Sequence, residues 1–156
     1  MNKPNQRKDS SSNASVGDEF EKTVQEYFQG KEGIALERGY SLRIGLESKK
    51  DHKFDLGYSD GERTIIIECK SYTWTEEDKV PSAKLSLWNE AMYLFHLAPK
   101  EIEKRMVVLR DFSRTRQETL AQYYLRTHSH LIPKDVSFYE FNDKTGEMKQ
   151  IRRASD

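Results

Sequence analysis

The sequence predicts an α/β fold, a mixed sheet flanked by helices. Three observations carry that expectation. An amphipathic helical stripe, Phe20, Val24, Tyr27 and Phe28, opens the ordered chain. A hairpin pattern follows, with Phe54, Leu56 and Tyr58 alternating before Asp60-Gly61 and the run Ile65, Ile66, Ile67 after it. Helical and strand-like segments then alternate to the end, giving the order helix, three strands, helix, strand, helix, strand.

The 156 residues suffice for one domain with a core of its own. Residues 1–16 are polar, Ser/Asn-rich and aperiodic, and read as a disordered leader ahead of a single domain over 17–156. Lysine plus arginine and aspartate plus glutamate balance at 26 each, so any nucleic-acid surface must be local rather than global. With a single cysteine, Cys69, no intramolecular disulfide or Cys-rich zinc site is possible. That usage points to a reducing, cytoplasmic compartment. No apolar run approaches the roughly 20 residues of a membrane span, so no membrane partner is expected.

The first helix is expected to start near Gly17-Asp18 and end at Gly30, with Glu21 and Gln25 on an adjoining flank. Residues 34–45 suggest a first strand, and Glu47 to His52 a polar loop. A long helix from about Pro81 to Ala98 carries Leu87, Trp88, Ala91, Met92, Leu94 and Phe95 and should be the central buried helix. Residues 105–111 read as a strand, and Thr115 to Glu118 as a capping box ahead of a helix with Leu120, Tyr123, Tyr124 and Leu125. Residues 136–141 alternate as a strand, Asn142 to Gly146 form a turn, and Glu147 to Arg152 a last strand.

The hairpin concentrates the chemistry. If Asp60-Gly61 form a two-residue loop, Ser59 faces Glu62 and Asp55 lies opposite Ile66. Ile66, Glu68 and Lys70 then share one face, with Asp55 diagonal to Glu68 at roughly 7–8 Å. The other face collects Phe54, Leu56, Tyr58, Ile65, Ile67 and Cys69. Two carboxylates about 6 Å apart repel by roughly 3 kcal/mol at an effective dielectric of about 20, enough to raise one pKa by about two units. A hard divalent cation removes that conflict, and oxygen ligands suit Mg²⁺, with Mn²⁺ as a substitute. Lys70 stands two residues on, placed to orient water or offset transition-state charge. The Cys69 main-chain carbonyl is a further candidate ligand, its side chain facing the core.

Asp55 followed by Glu68-Cys69-Lys70 after a hairpin turn resembles the PD-(D/E)XK nuclease signature, and Gly17-Asp-Glu-Phe-Glu21 resembles the G-x-x-x-E element of some of its branches. Mrr-like restriction endonucleases and Holliday-junction resolvases are the branches suggested. Phe54 replaces the proline of the family name. The resemblance implies a restriction endonuclease-like αβββαβ core and Mg²⁺-dependent hydrolysis of DNA phosphodiester bonds in restriction, repair or mobile-element biology. It implies Asp55 and Glu68 as metal ligands, Lys70 as the catalytic lysine and Glu21 as a supporting acid. DNA is then the expected partner, with a homodimer or a larger nuclease complex holding the chain. A catalytically silent DNA- or protein-binding module, or a cleavage subunit of a larger complex, is the alternative.

Other residues have competing readings. Glu68 and Lys70 can form an ion pair on a solvated sheet. Glu21 can be a helix N-terminal acid favoured by the macrodipole. Lys53 and Lys84 are the candidate nucleic-acid contacts, while Arg110, Arg114 and Arg116 form a looser cluster. Tyr72 and Trp74 can stack on bases or pack. His52, His128 and His130 read as surface residues rather than metal ligands.

Overall fold

The computed structural model of the chain describes residues 10–155. It contains α1 (Ser10–Glu32), β1 (Glu37–Gly45), β2 (Lys49–Ser59), β3 (Thr64–Lys70), α2 (Ser82–Leu97), β4 (Glu103–Leu109), β5 (Phe112–Ser113), β6 (Glu118–Thr119), α3 (Leu120–Thr127), β7 (Val136–Asn142) and β8 (Glu147–Arg152). Six strands form a mixed sheet in the order β1-β2-β3-β4-β7-β8, with β3-β4 and β4-β7 parallel and the outer pairs antiparallel. The expected α/β architecture is present. Among the described residues no helix is long and apolar enough to cross a membrane.

Helices cover both faces. Phe20, Val24 and Phe28 of α1 pack with Leu56, Ile65, Ile67, Cys69, Val107 and Leu109 on one side. On the other, Trp88, Met92 and Phe95 of α2 and Tyr124 of α3 pack with Ile66, Met106, Val108 and Phe138. Leu85 takes the buried place expected of Leu87, which is exposed at the edge of the α2 face.

Helix α1 reaches back to Ser10, into the segment read as a leader; the rest of that segment, residues 1–9, lies outside the described residues. Once a helix is nucleated, each added residue gains a hydrogen bond, so polar residues extend it without an apolar stripe. Its end also moves, past Gly30 to Glu32, because the left-handed backbone that stops it is adopted by Gly33 (φ 67°). Lys49 to His52, expected as loop, are paired in β2 against Gly45 to Leu42. This ribbon is largely exposed, so polar side chains cost it little, and Gly45 (φ 151°) makes its turn where a Cβ would meet the Ser48 carbonyl.

The second helix cap is displaced as well. The capping box is Thr119 with Gln122, not Thr115 with Glu118. Residues 112–119 instead form the small β5-β6 hairpin, and the Thr119 hydroxyl donates to the buried Glu140 carboxylate on β7. Tertiary anchoring chose between two sequence-compatible caps.

Candidate active site

The β2-β3 turn uses four residues rather than two. Ser59 faces Thr64, and the Asp60 carboxylate accepts from the amides of Glu62 (2.9 Å) and Arg63 (2.7 Å). That Asx-type turn captures two extra residues, so the register shifts by two from the expected one. A two-residue shift keeps every side chain on its face. It brings Asp55 level with Glu68 instead of diagonal to it.

The ladder between β2 and β3 stops at Leu56↔Ile67, one position short of this acidic pair. Side chains take over from there. The Asp55 carboxylate accepts from the Cys69 amide at 2.8 Å, and the Asp55 amide donates to Glu68 Oε2 at 3.3 Å. The strand's alternation breaks at the same point. Leu56 packs on the α1 face, whereas Phe54, two residues earlier, packs on the α2 face and stacks on Phe95 at 5.9 Å. The expectation that Phe54 shares a face with Leu56, Tyr58, Ile65, Ile67 and Cys69 is therefore corrected for Phe54 alone. The parting of the strands reorients the chain around Asp55.

A cleft of about 340 Å³ opens here, lined by Asp18 and Glu21 of α1, Arg38 of β1, Asp55, Cys69 and Lys70, with Tyr72 at its rim. Of the expected catalytic set, Glu21, Asp55 and Lys70 line the cleft. Glu68 stands behind Asp55, 5% exposed. Burial, the Glu68 charge and a hydrogen bond with Glu68 push the Asp55 carboxyl up to about 8. Burial works in the same sense on Glu68, but contacts with His52 and Asp55 and the Lys70 charge outweigh it and hold Glu68 below the ordinary carboxylate range. The two shifts run in opposite directions, which favours a protonated Asp55 beside an ionised Glu68 at neutral pH. Burial pushes the Cys69 thiol well above its usual range, which leaves it an inert group at the border of core and cleft.

Glu21 points to the cleft and is held by Arg38, whose Nη2 lies 3.0 Å from Glu21 Oε1 and 2.6 Å from Asp18 Oδ1. Gln25 takes a structural role, donating to the Leu36 carbonyl at 2.7 Å. Lys84 sits with Nζ 5.0 Å above the Tyr72 ring and so reaches the cleft rim. Lys53 is exposed on β2 but does not line the cleft. Trp74 is fully buried and packs rather than presenting a face for stacking. Arg116 spans Trp74 at 4.8 Å and donates to the Asp78 carbonyl at 2.6 Å, a structural role.

Two residues of the site escape sequence reasoning. Arg38 comes beside Asp55 only through the β1-β2 register, in which it faces Leu56. His52, read as a surface residue, has Nε2 buried and 3.7 Å from Glu68 Oε1, beyond hydrogen-bond range. No local signal flags it, since period two places a residue three before Asp55 on the opposite face, and only its packing on Phe54 turns it toward Glu68. Among the described residues no three His, Cys, Asp or Glu side chains stand close enough to hold a metal by themselves.

These observations define an α/β protein with an acidic, lysine-bearing cleft where two strands part. No family model and no curated protein matches the chain. A solved structure titled "Crystal structure of SSO0001" is similar at 12% identity and a TM-score of 0.36, over 92% of this chain and 54% of that one. A likeness that slight carries no functional argument.

Proposed function

We propose that this chain is a PD-(D/E)XK-type, metal-dependent deoxyribonuclease with a restriction endonuclease-like core. The observation that carries the reading is the Asp55–Glu68 pair, half-buried and buried, set level beside Lys70 where β2 and β3 part. The cleft beside the pair gathers the carboxyl groups of Asp18, Glu21 and Asp55 with the cations Arg38 and Lys70. That donor set fits a hard divalent ion. Mg²⁺ binds through one or two carboxylates and otherwise keeps waters and substrate phosphates, so a cage of three side chains is not required.

Asp55 and Glu68 would hold Mg²⁺ or Mn²⁺ with the Cys69 carbonyl, and the ion would supply Lewis-acid polarisation of a phosphate and a more acidic water. The chain's own residues do the rest. Lys70 places a compact positive charge at the cleft wall, where it offsets charge developing on a phosphate or orients the attacking water. Glu21 adds an acceptor from α1, held in place by Arg38. Lys84 over Tyr72 puts a cation at the rim for the strand backbone, with Lys53 farther along β2. The resulting reaction is hydrolysis of a DNA phosphodiester bond.

The test is cleavage of plasmid, single-stranded and branched DNA with Mg²⁺, Mn²⁺ or a chelator. Cleavage should require the metal and fall by about 100-fold or more in Glu68→Ala and Lys70→Ala. Cutting that persists without metal, or that survives both substitutions, rejects the mechanism. DNA binding with no cutting under any metal would instead identify a silent binding module.

A further inference from the structure

We propose that His52 is a positioning residue for Glu68, a donor behind the metal-binding carboxylate rather than a surface histidine. The inference rests on the nuclease reading of the cleft. Three features of the geometry carry it.

The imidazole is fixed by packing. It meets the Phe54 ring edge-on, with centroids 4.7 Å apart and planes at 81°, and Phe54 stacks in turn on Phe95 in the α2 core. Its backbone is fixed too, because His52 pairs with Leu42 in the β1-β2 ribbon. Second, Nε2 has no hydrogen-bond partner although the atom is buried. A buried polar nitrogen left unsatisfied costs stability and needs an explanation. Third, that nitrogen faces Glu68 Oε1 at 3.7 Å, while Oε2 is taken by the Asp55 amide.

The carboxylate is thus held at one oxygen by a main-chain N–H and faced at the other by an imidazole. An Nε2–H donor needs to move less than one bond length to close the second grip. Partners of this kind orient a ligating carboxylate, and their removal typically weakens metal binding by about 10–100-fold. Phe54, where the family signature has proline, acquires a role here: its ring is the surface against which the imidazole is set.

Mn²⁺ binding to the full chain, followed by electron paramagnetic resonance, tests the proposal. The variants are His52→Ala, His52→Gln, in which an amide N–H can stand in for Nε2–H, and Glu68→Ala. His52→Ala should bind Mn²⁺ about ten-fold more weakly, His52→Gln should recover most of the loss, and bound Mn²⁺ should show no ¹⁴N coupling from imidazole. Nitrogen NMR of the unsubstituted protein adds a readout that does not depend on any variant folding: His52 should carry its proton on Nε2, and Glu68→Gln should shift that resonance. Unchanged affinity in His52→Ala, a proton on Nδ1, or ¹⁴N coupling that makes His52 itself a ligand would each overturn the proposal. Loss of Mn²⁺ binding in Glu68→Ala but not in His52→Ala rejects the positioning role alone. If the unsubstituted chain binds no Mn²⁺, the nuclease reading falls and this inference falls with it.

Discussion

The two ends of β3 treat buried charge in opposite ways. At the N-terminal end, Arg105 of the neighbouring β4 makes two bonds to Glu32 at 2.7 and 2.9 Å and another to Glu103 at 2.8 Å, its guanidinium between the rings of Phe28 (4.8 Å) and Tyr139 (5.6 Å). Arg63 closes the group, 3.0 Å from Glu103. Acid and base are matched there, and every carboxylate has a cation. At the C-terminal end, Asp55 and Glu68 stand level, each carboxylate bonded to the other strand's main chain, with an imidazole just out of reach. Matched charge ties helix to sheet. The Asp55–Glu68 pair lies instead at a cleft, where under the proposed function a cation would displace the Asp55 proton.

Arg105→Ala gives the largest expected effect. It should destabilise the protein by about 3–5 kcal/mol in denaturant unfolding, because it leaves two carboxylates without their buried partner. A loss below about 1 kcal/mol, the range of exposed pairs, would break the contrast.

Asp55→Asn should act in the opposite direction. A carboxyl with a raised folded pKa binds its proton more tightly in the folded chain, so stability falls as pH rises from the ordinary carboxylate range through about 8. Glu68, held below that range, loses its contribution only as pH falls through the lower window, so the two do not overlap. The asparagine variant lacks the upper loss. At about pH 9 it should be more stable than the parent by about 1–3 kcal/mol, with the difference vanishing near pH 4. Thermal melts across pH check this, and a difference independent of pH would exclude the raised Asp55 pKa.

The smallest effect belongs to the cleft rim. Arg38→Gln removes two solvent-facing ion pairs, to Asp18 and Glu21, and should change stability by less than about 1 kcal/mol. A larger loss on thermal unfolding would move Arg38 from the site to the scaffold.

Much of this was legible from residue order. The apolar stripe Phe20, Val24 and Phe28, the isoleucine run and the Asp55…Glu68-Cys69-Lys70 spacing define α1, the hairpin and the charges that do not belong in a core, because period and polarity are local properties of the chain. Boundaries were less legible. Gly30 and Gly33 both suit a helix end, and Thr115 and Thr119 both suit a cap; which one acts depends on what the rest of the chain brings against it.

The sequence by itself determined the α/β alternation and the face shared by Glu68 and Lys70, since period two survives a register error of two. Only tertiary structure decided that Asp55 stands level with Glu68, that β2 leaves β3 at that residue, and that Arg38 and His52 join the acids. Those outcomes rest on an Asx turn, the register of an edge ribbon and the stacking of Phe54 on a helix far along the chain. The last two are contacts between separated segments that no local pattern encodes, and the turn is a local one that Asp60-Gly61 left open between two lengths.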